Sequence, residues 1–406
     1  MKKFIPSARS FKTKPSPIRG LVNLANEQKK KGVKVNHFNI GQPDLPTHPD
    51  FYQAIRTFKE KNVAYAPTQG RIEAQEAWIK YFKSIGINYN LSELIVTMGG
   101  VEALFLTHAA ILDPGDELLV FEPFYPYYEN QADILGTKIV PISLSIENGF
   151  HLPSVKEMQK KVTKRTKAIL FCNPSNPTGV VFTPKEVKSV AAFAKKNNLY
   201  IIADEVYREY AFERPALSMA KIKSVADRVI LCDTTSKRFN LCGARVGCLA
   251  SHNKQFMQNV FKLAMARESV ATIEQIACAK LLNNAKKYYG PTIEIYNERR
   301  EAVYAGLKQL PGAVVHKPEG AFYIIIGLPI KDSEHFATWL LTDFRKDNAT
   351  ICVSPAKGFY STKGKGADEI RLSYVVDVKV IKESMEILKE ALETYRQKFP
   401  KKCKKI

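Results

Sequence analysis

The sequence predicts an α/β fold: a large domain with a mostly parallel central sheet flanked by helices, and a smaller α+β domain. Three observations carry this expectation. Between residues 94 and 250, short apolar runs alternate with helix-like stretches. The short runs lack polar alternation, as strands buried on both faces do. After residue 290 the pattern changes to two long helical stretches that bracket short strand-like segments.

The elements follow in order. Residues 1–45, with Pro15 and Pro17, read as an arm that leads to a short helix and supplies part of the small domain. "LIVTMGG" (94–100) is a strand running into a glycine turn, and "VEALFLTHAAILD" (101–113) is the helix it opens. "ELLVFEP" (117–123) and "KIVPI" (138–142) are strands with turn signals between them. "AILFCNP" (168–174) precedes "TPKEVKSVAAFAKKNN" (183–198). There Thr183 and Glu186 form a capping box, with Pro184 at the first helical position. "LYIIADE" (199–205), "RVILCD" (228–233) and "VGCLAS" (246–251) complete a large domain over 46–290. Helical patterns at 291–309 and 378–396 enclose "AFYIII", "TICVS" and "EIRLSY", which assigns 291–406 to the small domain with its basic tail "RQKFPKKCKKI".

Composition narrows the function classes. The 406 residues include 61 Lys and Arg against 40 Asp and Glu, a formal net charge of +21. That balance suits anionic small molecules. No interleaved aromatic platform or recognition helix accompanies it, so nucleic acid is not an expected partner. The longest apolar run, "AFYIIIGLPI" (321–330), is about half the roughly 20 residues of a membrane-spanning helix. The N-terminus has positive charge but no apolar stretch of the secretory kind. Seven cysteines form no paired framework, which fits a reducing compartment and an expected cytoplasmic location. The seven histidines are scattered, and no metal site is expected.

Four motifs fall where strands of an open sheet end, the place where such folds bind ligands. "TMGGVEAL" (97–104) either aims free backbone N–H groups at an anion or only ends a strand. "NPSNPTG" (173–179) is a turn that also presents Asn176. "ADEVYREY" (203–210) places Asp204 after an apolar strand with Tyr207 three positions on; Asp204 is a ligand or a helix cap. "CDTTSKRFNLCGARVG" (232–247) sets Lys237 among Thr234, Thr235 and Ser236, with Arg245 following.

In this order and spacing, with "NIGQPD" (39–44), "YAPTQG" (65–70), "EPFYPYY" (122–128) and "IRLSY" (370–374), the motifs resemble those of the class I and II aminotransferases. These are fold-type-I enzymes dependent on pyridoxal 5′-phosphate, and the likeness runs from about residue 15 to residue 395. The resemblance implies that Lys237 forms the Schiff base with the cofactor aldehyde and later acts as general base. Arg245, Thr234 and the backbone of Gly100 and Val101 would bind the phosphate. Asp204 would pair with the ring nitrogen and keep it cationic. Asn176 and Tyr207 would hydrogen-bond the ring's phenolic oxygen, with Asn176 also facing substrate. Tyr125 would stack on the ring or else be a core tyrosine. Tyr65 would reach the phosphate of a second chain, implying a homodimer with shared active sites. Arg371 would hold the substrate α-carboxylate by a two-bond fork, and Gly41 would let the arm's backbone approach the same substrate.

The activity so implied is ping-pong transfer of an amino group from an L-amino acid of aspartate, alanine or aromatic type to a 2-oxo acid such as 2-oxoglutarate. A lyase cleaving a C–S or similar β-bond on the same fold uses the same residues, and a cofactor-binding regulatory module with idle chemistry is a further alternative. Two stretches depart from the common family wording: "TTSK", which keeps a hydroxyl at 234, and "LCGARVG", which lacks an aromatic before the arginine. Arg267, in "MARESVATIEQ", reads as a solvated helix arginine in preference to a group that recognises an acidic side chain.

Overall fold

The computed structural model describes residues 5–15 and 17–405; residues 1–4 and 16 of the expected arm and residue 406 of the basic tail lie outside them. Seven strands form the central sheet in the order Leu94–Thr97, Gly247–Ala250, Val229–Thr234, Tyr200–Asp204, Thr166–Cys172, Glu117–Glu122 and Lys138–Ser143. All neighbours pair in parallel except Gly247–Ala250, which runs antiparallel to both of its partners. The flanking strand Leu94–Thr97 therefore points the same way as the parallel set.

Successive side chains of a strand leave on opposite faces. In Tyr200–Asp204, Ile201 and Ala203 enter the core that holds Trp78, Phe82 and Phe193, while Ile202 enters the core of Leu104, Phe124 and Val260 on the other face. Ile169 and Phe171 divide from Ala168 and Leu170 in the same way. Both faces are dry, which is why the sequence shows apolar runs in place of alternation. The helix Pro184–Lys196 starts with the expected capping box: the Glu186 N–H donates to Thr183 Oγ1 at 3.2 Å, and the Thr183 N–H donates to Glu186 Oε2 at 2.8 Å.

A second core, around Phe336, Trp339, Leu388 and Tyr395, packs on an antiparallel sheet ordered Ser354–Pro355, Glu369–Ser373, Tyr323–Gly327 and Val314–Val315. The arm joins it. After the helix Val22–Lys30, the strand Lys34–His37 pairs in parallel with Ala349–Cys352.

One helix begins earlier than its pattern suggests. The stretch expected at 291–309 is the helix Ala285–Leu307, with Pro291 inside it. Proline suits a first helical position but can also be carried within a helix at the loss of one backbone hydrogen bond, and here tertiary packing of Ala285 and Tyr288 in the large core holds the preceding turn. Among the described residues no helix is long and apolar enough to cross a membrane, and all seven cysteines are free.

Candidate active site

The carboxyl ends of the parallel strands converge on one cavity of about 630 Å³. Its lining includes Gly41, Gly100, Val101, Tyr125, Asn176, Asp204, Tyr207, Thr234, Lys237, Arg245 and Arg371. Eleven of the twelve residues expected from the sequence thus share one site. Tyr65 does not; it is 82% exposed and lies outside the cavity of its own chain.

The lysine stands at the centre. Thr234 ends its strand and caps the single turn Thr235–Arg238, which presents Lys237. Lys237 is half-buried and, among the described residues, the one lysine in the cavity lining; its Nζ donates to the Gly41 carbonyl at 2.9 Å. Gly41 is required there by contact. A Cβ on it would lie 2.0 Å from the Tyr323 hydroxyl. Gly41→Ala is expected to displace Tyr323 and the Lys237 acceptor together and to lower kcat/KM about tenfold to a hundredfold, as misplacements near 1 Å do. Steady-state kinetics on the folded variant checks this.

One end of the cavity suits an anion. The helix Gly100–Ile111 starts at Gly99, whose φ of 77° favours glycine, and no side chain caps its first N–H groups. Arg245 reaches over this turn, donating to the Met98 carbonyl at 3.3 Å and to Ser236 Oγ at 3.4 Å. The Thr234 and Ser236 hydroxyls lie 2.9 Å apart beside it.

The other poles are a buried carboxyl group and a buried guanidinium. Asp204 ends the strand Tyr200–Asp204 and is buried; Tyr128 donates to its Oδ2 at 2.6 Å. Burial lifts the Asp204 carboxyl to about 6, against the lowering effect of Tyr128. A cation seated against it would recover that desolvation cost, and a protonated ring nitrogen is such a cation. Arg371 is fully buried on the strand Glu369–Ser373, and burial lowers its pKa. It donates to Asn176 Oδ1 at 3.3 Å and to the Asn39 carbonyl, while its Nε has no partner. Among the described residues no carboxylate pairs with it, although a buried guanidinium ordinarily demands one. The donor set therefore fits pyridoxal phosphate at one end and a carboxylate at the other.

Behind the lysine turn lies a buried charge cluster that sequence reasoning missed. Arg238 bonds Asp233 at 3.0 Å and Glu209 at 2.9 Å and covers the Tyr81 ring at 4.3 Å. Arg208 pairs with Glu205 at 2.7 Å and with Asp233. These groups neighbour Asp204, Thr234 and Lys237 in sequence, so they anchor the segments that carry the site. Arg238→Met takes from Asp233 and Glu209 one of the two arginines that neutralise them, leaving Arg208 alone, and is expected to cost about 3–5 kcal/mol of stability, measurable by urea unfolding.

Tyr128 and Tyr323 were also missed. Tyr128 stands three positions after Tyr125, one helical turn along, and that spacing was the available signal. Tyr323 shows in sequence only as the hydroxyl in "AFYIII". Arg267 is corrected: it lies past the end of the helix Lys254–Met265, pairs with Glu102 at 3.2 Å and donates to the Val96 carbonyl at 2.7 Å. Its charge is used to tie the helix Gly100–Ile111 to the strand Leu94–Thr97.

Comparison with known proteins agrees with this geometry. The family model described as aminotransferase class I and II matches residues 33–388. A probable aspartate/prephenate aminotransferase of Aquifex aeolicus is 33% identical, covering 95% of this chain and 98% of its own. An aspartate aminotransferase of Pyrococcus horikoshii is 32% identical over 97% of this chain and 98% of its own. Among solved structures, an aspartate aminotransferase from Thermus thermophilus with maleate superimposes with a TM-score of 0.88 at 27% identity, covering 96% of this chain and all (100%) of that one. An alanine aminotransferase from Pyrococcus furiosus gives a TM-score of 0.88 at 28% identity, with coverage of 96% and 100%.

Proposed function

Because the chain belongs to the class I and II aminotransferase family and is an aminotransferase, we propose that it moves the amino group of an L-amino acid of aspartate, alanine or aromatic type to a 2-oxo acid such as 2-oxoglutarate, by a ping-pong route with pyridoxal 5′-phosphate as resident cofactor. The observation that carries this reading is one cavity holding a single lysine, a buried carboxylate and a buried guanidinium free of carboxylate partners among the described residues.

When bound, the cofactor supplies an aldehyde for C=N chemistry and an electron-withdrawing ring. The chain's own groups divide the remaining work. The N–H groups of Gly100 and Val101, the Thr234 hydroxyl and Arg245 would hold the phosphate. The Asp204 carboxylate would hold the proton on the ring nitrogen, and Tyr128 fixes that carboxylate in place. Asn176 and Tyr207 would donate to the ring oxygen, and Tyr125 would cover a ring face. Arg371 binds the substrate α-carboxylate in a fork that orients Cα toward Lys237. The Lys237 Nζ, released from the Gly41 carbonyl, would take the Cα proton and deliver it to the carbon on the far side of the substrate nitrogen, a 1,3-shift.

The site is completed by a second chain in this reading. Tyr65 and Val63, two positions apart, are exposed at 82% and 64%, and this stretch suits a homodimer partner. The chain divides as an arm and partial small domain over 1–45, a cofactor-binding domain over 46–290 and a small domain over 291–406.

The test is a half-reaction. Holoenzyme is mixed with single amino acids and no acceptor, and the cofactor absorbance is followed. Conversion to the amine form by aspartate, alanine or an aromatic amino acid supports the reading. Release of pyruvate and ammonia without acceptor indicates a lyase instead, and no spectral change with any donor overturns it.

A further inference from the structure

Tyr323 joins two parts of the site that have separate tasks. It opens the strand Tyr323–Gly327, whose Ile325 is the register partner of Arg371 on the adjacent strand. Tyr323 and Ile325, two residues apart, share a face, so the Tyr323 ring comes beneath the guanidinium, with 4.6 Å from ring centre to guanidinium carbon. Its hydroxyl lies 2.8 Å from the Tyr207 hydroxyl and 3.4 Å from the Gly41 carbonyl. That carbonyl is also the acceptor for Lys237.

Each phenol has one proton to give. If Tyr207 donates to Tyr323, Tyr323 donates onward to Gly41. If Tyr207 turns its proton into the cavity, Tyr323 donates to the Tyr207 oxygen instead. We propose that Tyr323 is a positioning residue with two functions: its hydroxyl sets Tyr207 as a donor to an anionic oxygen in the cavity, and its ring supports Arg371 for carboxylate binding. This rests on the aminotransferase reading above. Among the described residues the other titratable groups facing the phenol pair include Tyr125, Cys172, Lys237, Arg371 and Tyr374, and Gly41 leaves room for the pair where any side chain would strike Tyr323.

A donor to an anionic oxygen stabilises the deprotonated chromophore and lowers its pKa, so losing the Tyr323 hydroxyl raises it. The experiment compares Tyr323→Phe and Tyr323→Leu with wild-type holoenzyme, by pH titration of the visible chromophore and by KM and kcat for the best amino-acid donor. In Tyr323→Phe the chromophore pKa is expected to rise by about half to one pH unit, the size of one neutral hydrogen bond, with KM changed less than about twofold. In Tyr323→Leu the pKa rises equally and KM rises about tenfold through loss of the ring under Arg371. Should Tyr323→Leu not fold, Tyr323→Met takes its place, and recovery of KM by Phe identifies the ring as the cause. An unchanged pKa in Tyr323→Phe, or an unchanged KM in the ring-less variant, overturns the inference while the enzyme's activity stands. A wild-type holoenzyme that has no chromophore overturns both this inference and the aminotransferase reading.

Discussion

Lys237→Ala is expected to abolish transfer, with kcat/KM falling by at least about 10³-fold. Among the described residues the cavity lining holds no second lysine to take over. The fold should survive, because the turn Thr235–Arg238 is held by the Thr234 cap and by Arg238 in its buried ion pairs, and alanine suits a helical turn. Cofactor uptake should also persist, since the groups expected to bind the phosphate and ring nitrogen are other residues. Lys237→Arg should not restore turnover: a guanidinium stays protonated and is neither nucleophile nor base. Parallel measurement of cofactor binding by absorbance and of steady-state turnover checks both halves. Turnover within about tenfold of wild type would mean that another group performs the proton transfer.

The second large effect is expected at Asp204. Asp204→Asn keeps the shape of the side chain and its place beside Tyr128 but removes the charge that can hold a proton on the ring nitrogen. The expected loss in kcat is about 10³-fold, at the upper end for removing one preorganised electrostatic group. Binding of the phosphate should weaken far less, because Arg245 and the helix start at Gly100 are unaltered. Stopped-flow half-reactions, which separate the chemical step from binding, measure this directly. A variant that loses affinity for cofactor but keeps its rate when saturated would assign Asp204 to binding alone.

The parts of the site that were legible in the sequence share a physical cause. Asp204, Asn176, Thr234 and Lys237 all follow the ends of apolar runs, and the runs read plainly because both faces of their sheet are dry. Arg371 carried no such local signal, and its role was legible only through the resemblance of "IRLSY" to the family's motif. Contacts made by folding were not legible. Tyr128 against Asp204 spans 76 positions, Tyr207 against Tyr323 spans 116, and Arg371 against Asn176 spans 195. The Arg238 cluster looked like ordinary charge in "SKRF" and "YREY" because nothing local says that these side chains are buried. Arg267 misled for the same reason, its partner Glu102 lying 165 residues away. The start of the helix at Ala285 was hidden by Pro291, whose local meaning is a helix start, overridden here by packing.

One measurement bears on the central claim, that the Lys237 amine forms a covalent C=N bond with the aldehyde of bound pyridoxal phosphate. Purified protein is supplied with the cofactor, reduced with borohydride, digested and analysed by mass spectrometry. The expected result is a visible chromophore before reduction and one modified peptide after it, bearing the cofactor on Lys237. A colourless protein, or label spread over surface lysines with none at 237, would contradict the claim.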